Sequence, residues 1–199
     1  MASIPKLLLA TNNPNKVREY SMLLENIPFQ LTTLVRESIS ATVEETGTTM
    51  EENARLKATT YASLSGLVAL ADDSGLEVDA LSGRPGSLSA RFGGEGISDK
   101  QRVAHLLNEL RNVPWEKRGA RFRCVIAIAA PEEKKVNLCY GECRGIITFE
   151  PRGKSGFGYD PVFYLPELGK TMAELSPEEK NRVSHRGRAA HKARQALGP

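Results

Sequence analysis

Residues 7–16 read LLLATNNPNK, and the way this stretch is parsed decides the fold. Ile4 to Ala10 reads as a first strand, and its apolar end, Leu7 to Ala10, is too short for a helix and characteristic of a strand buried on both faces. The chain then turns through Thr11, Asn12, Asn13, Pro14 and Asn15 to Lys16. Asn13 is a good helix N-cap, and Pro14 suits the first helical position, where its missing N–H costs nothing. Val17, Tyr20 and Leu24 follow at helical spacing, so a helix runs on and ends before Pro28. Strand, tight turn and helix start together open an α/β arrangement. The free N–H groups and dipole of that helix start favour an anion, although no glycine is there to shape a phosphate loop.

Working outward, Gln30 to Leu34 reads as a short second strand. The polar, acidic stretch ATVEETGTTMEEN is a loop leading into a helix, with Thr49 and Glu52 spaced as a capping box. Met50, Ala54, Ala58 and Tyr61 form the apolar stripe of that helix, while Asn53 and Lys57 share another face at i, i+4. Leu67 to Ala71 is a compact apolar strand running into Asp72-Asp73-Ser74-Gly75, and Leu76 to Leu81 alternates as a further strand. Ser98 and Gln101 repeat the capping box before a helix carrying Val103, Leu106, Leu107 and Leu110. Arg121 to Ala129 and Val136 to Thr148 are strands of a hairpin with a charged turn at Glu132 to Lys135. Ser176-Pro177-Glu178-Glu179 starts another helix, and a basic one begins after Ser184. The expectation is one domain over residues 1–199, α/β, with a mixed sheet.

Composition bounds the function. Of 199 residues, 40% are hydrophobic and 26% charged, the profile of a globular chain. A net charge of +3 is too small to imply a nucleic-acid partner. No apolar run approaches the length of a bilayer span, and MASIPK lacks the apolar region of a signal peptide, so no membrane partner is expected. The three cysteines supply neither a disulfide framework nor a zinc set; Cys139 and Cys143 share a strand face without further ligands. Buried, idle thiols in a reducing cytoplasm follow.

Chemistry concentrates in a few places. Glu44-Glu45 and Asp72-Asp73 are acidic pairs on separate segments, the hard-oxygen set that Mg2+ takes while keeping positions for water and phosphate; a solvated acidic turn capped by Asp73 is the alternative. Neighbouring strand residues point to opposite faces, so one of Asp72 and Asp73 enters a given cleft. Lys16, and Lys57 beside Asn53, are cations for a polyphosphate or ordinary solvated lysines. In SGFGYDP, glycines flank Phe157 and Tyr159, leaving an aromatic ring clear to stack on a flat ligand or to plug the core. Asp160 precedes Pro161 and is biased to extended geometry. Lys180 and Ser184-His185-Arg186 offer donors for carbonyl groups on a base edge, while Arg182, Arg188, Lys192 and Arg194 read as a solvated helix face.

The succession T-x-N-x-x-K, EETG, ENA-x-x-K, ADDSGL, FGYDP and SHRG, from Leu7 to about Leu197, strongly resembles the inosine triphosphate pyrophosphatase family. The resemblance implies an elongated mixed β-sheet flanked by helices, in two lobes with a central active-site cleft. It implies hydrolysis of ITP, dITP or XTP between the α and β phosphates, Mg2+ as cofactor, and a homodimer. Carried over, Thr11, Asn12, Asn13, Pro14, Asn15 and Lys16 hold the triphosphate, helped by Asn53 and Lys57. Asp73 is the general base and, with Glu44, positions Mg2+; Glu45 and Asp72 stay open as alternatives. Ser74 touches the nucleotide, Phe157 stacks on the base, and Gly158, Tyr159 and Asp160 shape its pocket. Lys180, His185 and Arg186 donate to the purine 6-oxo group. Many relatives have glycine where this chain has Asn12, a residue that tolerates left-handed geometry.

Overall fold

The computed structural model describes residues 4–133 and 135–198. Lys134 of the expected charged turn, and Met1–Ser3 of MASIPK, lie outside the described residues. In chain order the elements are β1 (Lys6–Leu9), α1 (Pro14–Leu23), β2 (Gln30–Thr33), α2 (Met50–Ser65), β3 (Val68–Val78), α3 (Asp99–Glu109), β4 (Gly119–Ala129), β5 (Val136–Ile147), β6 (Phe163–Leu165), β7 (Lys170–Thr171), α4 (Pro177–Val183) and α5 (His185–Ala196). The strands form one sheet in the order β2-β1-β3-β4-β5-β6-β7. β1 lies parallel to both β2 and β3, whereas β6 is antiparallel to β5 and β7, so the sheet is mixed as expected. No helix among the described residues is long and apolar enough to cross a membrane.

The described chain falls into two compact units. One takes the chain up to Asp73, then Cys124–Gly141 and Arg186 onward; the other takes Ser74–Arg123 and Glu142–His185. In the first, β1 is covered on both faces, which explains its unbroken run of leucines. Leu8 packs with Ala54, Ala58 and Tyr61 of α2, while Leu7 and Leu9 pack with Tyr20 of α1 and Ala189, Ala190 and Ala193 of α5. Burying each such leucine stabilises the fold by about 1.5–3 kcal/mol. The second unit has its own core, in which Leu76 and Val78 of β3 meet Val103, Leu106 and Leu110 of α3 and Phe122, Tyr159 and Phe163.

Two local expectations are corrected. Residues 67–81 are not two strands parted by an acidic turn: β3 runs unbroken from Val68 to Val78, through Asp72 and Asp73. Both acids are buried, and their oxygens find cationic and amide partners, so the backbone has no reason to leave the sheet. Asp160 is not extended; it opens a 3-10 turn, Asp160–Val162, with its carboxylate accepting from the Phe157 N–H and from Lys180. Those two bonds outweigh the steric bias that Pro161 imposes on it. Cys139 and Cys143 pack into different cores, and all three cysteines are buried free thiols.

Candidate active site

β3 alternates, and its alternation separates the two aspartates. Leu70 belongs to the core beneath α1 and α5, and Ala71 to the core beneath α2. Asp72 then takes the α1 and α5 side, and Asp73 the α2 side, because successive side chains of a strand face opposite ways. The partners of each acid bear this out.

On the first side, Lys16 Nζ donates to Asp72 Oδ1 at 2.9 Å. Arg186 Nε lies 3.7 Å from Asp72 Oδ2, and Arg186 Nη1 donates to Glu19 Oε2 at 2.5 Å. The guanidinium rests 6.0 Å above the Tyr20 ring, and Cys124 Sγ lies 3.9 Å from Asp72 Oδ2. Burial alone would raise the Asp72 pKa, but Lys16, Arg186 and Lys57 together hold it well below the usual carboxylate range. The same environment pushes the Cys124 thiol up to about 12, chiefly by burial and then by the Asp72 charge, so it is inert.

On the second side, Asn53 Nδ2 donates to Asp73 Oδ2 at 3.2 Å, and its Oδ1 accepts from the Gly47 N–H at 2.8 Å. A side chain at Gly47 would meet that Oδ1 at 2.6 Å, which explains the glycine in EETG. Lys57 Nζ stands 4.0 Å from Asp73 Oδ1 but donates to Glu45 Oε1 at 2.6 Å. Its charge is committed to Glu45 first, so it only partly offsets the burial of Asp73. Burial, opposed by Lys57 and reinforced by Glu45 and Asp72, lifts the Asp73 pKa to about 6. Adjacent carboxylates thus hold their protons with very different strength. Of the acidic loop pair, Glu45 stands beside Lys57 and Asp73, while Glu44 is exposed.

The turn before α1 is built as the sequence reads. Asn13 Oδ1 accepts from the N–H groups of Asn15 and Lys16, and Thr11 Oγ1 accepts from the Asn13 N–H. Asn12 and Pro14 are exposed, and Asn12 is not among the residues with positive φ, so its tolerance for left-handed geometry is not used. Lys16 stands in the first turn of α1, on the same unit as Asn53, Lys57, Asp73 and Arg186.

The other unit holds Ser74, Phe157 through Asp160, Lys180 and His185. Lys180 Nζ donates to Asp160 Oδ2 at 2.5 Å and lies 5.0 Å from the Phe157 ring centroid. Phe157 is half-buried and outside the core, while Tyr159 is the core plug, its hydroxyl donating to the Ser89 carbonyl at 2.9 Å. His185 is buried and stacks on Phe122 with centroids 4.6 Å apart. Gly158 donates its N–H to Asp99. Arg186, read in the sequence together with His185, instead packs into the unit of Asp72 and Glu19. Glu19 and Asp99 were missed by the sequence reading. Glu19 follows Lys16 by one helical turn, an i, i+3 spacing that marks a shared face but names no distant Arg186.

The profile of the Ham1 family matches residues 7–196. A dITP/XTP pyrophosphatase of Geobacter sulfurreducens is 51% identical over 193 residues, covering 97% of this chain and 96% of the relative. A protein of the same description from Bacillus cereus is 46% identical, over 99% of this chain and 97% of the relative. The solved structure of a HAM1 protein from Coxiella burnetii superposes with a TM-score of 0.88 at 41% identity, covering 97% of this chain and 98% of that one.

The opposite tuning of the two acids has a measurable consequence for the metal-free protein. The folded Asp73 pKa lies above the ordinary 3.8, so its ionisation opposes folding; the cost is absent below about pH 3.8 and complete above about pH 6. At its upper bound the cost is about 3 kcal/mol. Asp72 is depressed, so its ionisation favours folding above about pH 4, and that contribution is lost as pH falls through its folded value. Chemical denaturation in EDTA at pH 8 is therefore expected to find Asp73→Asn more stable than wild type by about 1–3 kcal/mol, and Asp72→Asn less stable by about 3–5 kcal/mol. The Asp73→Asn gain shrinks as the pH is lowered below 6. Equal destabilisation by both substitutions contradicts the assignment.

Proposed function

The chain belongs to the Ham1 family, and from that premise we propose that it hydrolyses non-standard purine nucleoside triphosphates, dITP, XTP and ITP, to the monophosphate and pyrophosphate. The observation that carries the reading is the split between adjacent acids: Asp72 is locked as an anion among cations, while Asp73, beside Asn53 and Lys57, holds a proton up to about pH 6.

A polyphosphate repels an attacking water by its own charge, and lowering that barrier is an electrostatic task. The N–H groups at the start of α1, the side chains of Thr11 through Asn15, and Lys16 supply the triphosphate grip in this reading. Lys57 adds a second cation. Asp73 accepts the proton of the attacking water, and a carboxylate whose pKa lies near the working pH is the form suited to do so. Asn53 fixes Asp73 Oδ2 from one side, and Gly47 fixes Asn53. Among the described residues no group of His, Cys, Asp and Glu forms an all-protein metal cage. Asp73 with Glu45 or Glu44 is instead the one- or two-carboxylate set that Mg2+ uses when phosphate oxygens complete its shell, and the raised Asp73 pKa marks a carboxylate short of positive charge. Mg2+, when bound, neutralises phosphate charge and acidifies the water.

On the second unit Phe157 stacks on the base, Gly158, Tyr159 and Asp160 shape its pocket, and Lys180 and His185 donate to the 6-oxo group. Donors aimed at a 6-oxo atom meet the 6-amino group of adenine badly, and such mismatches discriminate by about 10⁴-fold. Residues 1–199 act as one catalytic domain, Ser74 touches the nucleotide, and the enzyme works as a homodimer in the cytoplasm, where its thiols stay reduced.

A Mg2+-dependent hydrolysis panel of ITP, XTP, dITP, GTP, ATP and dTTP tests the reading, with pyrophosphate expected as the direct product from the first three. Direct release of orthophosphate, or equal turnover of ATP, sinks it. Asp73→Asn is expected to lose most of kcat while nucleotide binding persists. Asn13→Asp keeps the cap and costs little stability, but sets a negative charge at the phosphate grip. It is expected to raise the KM for ITP severalfold, and an unchanged KM moves the triphosphate elsewhere.

A further inference from the structure

The segment 155–160 holds a contact that the purine-site reading leaves unused. Gly158 donates its N–H to Asp99 Oδ2 at 2.7 Å, across 59 residues of sequence. The other oxygen of the same carboxylate, Oδ1, accepts from Arg102 Nη1 at 2.7 Å, and Arg102 Nη2 donates to the Ile97 carbonyl at 3.2 Å. Asp99 is therefore aimed, one oxygen held from its own helix and the other free to take the loop amide.

The loop needs an outside hold at this point. Gly156 and Gly158 both have positive φ, so the backbone on either side of Phe157 adopts geometry that no preference of Phe157 itself imposes. The Phe157 N–H is held by Asp160 Oδ2, and the Tyr159 hydroxyl by the Ser89 carbonyl. Gly158 lies between these anchors, and its amide is the one that Asp99 takes. The start of α3 has little need of the Asp99 carboxylate, because Ser98 and Gln101 already form a reciprocal capping box there. A carboxylate accepting from a backbone N–H makes a stronger bond than a neutral acceptor.

We propose that Asp99 is a positioning residue for the base: through the Gly158 amide it holds the 155–160 loop, and with it the Phe157 ring, in the conformation that receives a purine. Arg102 serves by orienting Asp99. Neither residue touches the nucleotide. The consequence falls on binding: a loop that must be ordered by the substrate lowers the apparent affinity by the fraction of time it is correctly formed. The chemical step is set by Asp73 and its neighbours on the other unit.

The proposal rests on the purine-site reading, so the test has one arm that depends on catalysis and one that does not. Asp99→Ala and Asp99→Ser remove the acceptor; serine suits a helix start but is too short to reach Gly158. Asp99→Asn keeps an acceptor oxygen. With ITP, Asp99→Ala and Asp99→Ser are expected to raise KM about tenfold, within the range a charged hydrogen bond supplies, while kcat changes by less than about twofold. Asp99→Asn, which has one acceptor oxygen for Gly158 but gives up the charge and the bond from Arg102, is expected to fall between wild type and Asp99→Ala. Independently of substrate, hydrogen exchange at the Gly158 amide is expected to quicken about tenfold in the alanine and serine variants and by less in the asparagine one. Unchanged exchange and KM in Asp99→Ala overturn the proposal, as does an Asp99→Asn variant that loses as much as Asp99→Ala. A fall in thermal stability with kcat and KM both unaltered also overturns it, since that is the mark of a merely structural residue. If the wild-type protein hydrolyses no purine triphosphate, the functional reading fails, and the exchange arm alone decides whether Asp99 holds the loop.

Discussion

The structure depends on the burial of Asp72 and Asp73 side by side in one strand. Two carboxylates so placed cannot share an environment, because each charge withdrawn from water needs its own compensation. The strand solves this by its pleat. It turns Asp72 toward Lys16 and Arg186, and Asp73 toward Asn53 and Lys57. The first acid is over-compensated and stays ionised; the second is under-compensated and keeps its proton to about pH 6. A difference of one position along the backbone thus becomes a difference of chemical role.

Much of the surrounding architecture serves that difference. The Asn13 cap starts α1 where Lys16 reaches Asp72. The Thr49–Glu52 capping box starts α2 where Asn53 and Lys57 stand over Asp73. Gly47 admits the Asn53 side chain against the acidic loop. Arg186 enters from α5 and is itself held by Glu19 of α1. The unfavourable ionisation of Asp73 is a local cost of the kind that functional sites carry, offset by the leucine and alanine cores on either side of β1.

Much of this was legible in the sequence, because the information was local. The capping boxes at Thr49, Ser98 and Ser176, the Asn13–Pro14 start, the strand of leucines and the long strands before and after residue 134 all rest on spacing within a few residues. The order of motifs from Leu7 to about Leu197 named the family that the comparisons then showed. What failed was whatever depended on distant partners. Asp72-Asp73-Ser74-Gly75 has turn composition, and only Lys16, Asn53 and Arg186, far away in sequence, let it remain strand. Asp160 left its extended preference for Lys180. Glu19 and Asp99 look like ordinary surface acids until the fold supplies Arg186 and the Gly158 amide. The choice between Glu44 and Glu45 had no local signal, since neighbours in a loop differ only in where the loop carries them.

The central claim is that β3 holds two carboxylates in opposite states, and carboxyl-carbon NMR titration of the metal-free protein measures it directly. With Asp72→Asn and Asp73→Asn used to assign the signals, the account predicts an Asp73 midpoint near pH 6 and an Asp72 signal that stays ionised far below the ordinary 3.8. Both acids titrating together near 3.8, or Asp72 titrating above Asp73, would contradict it.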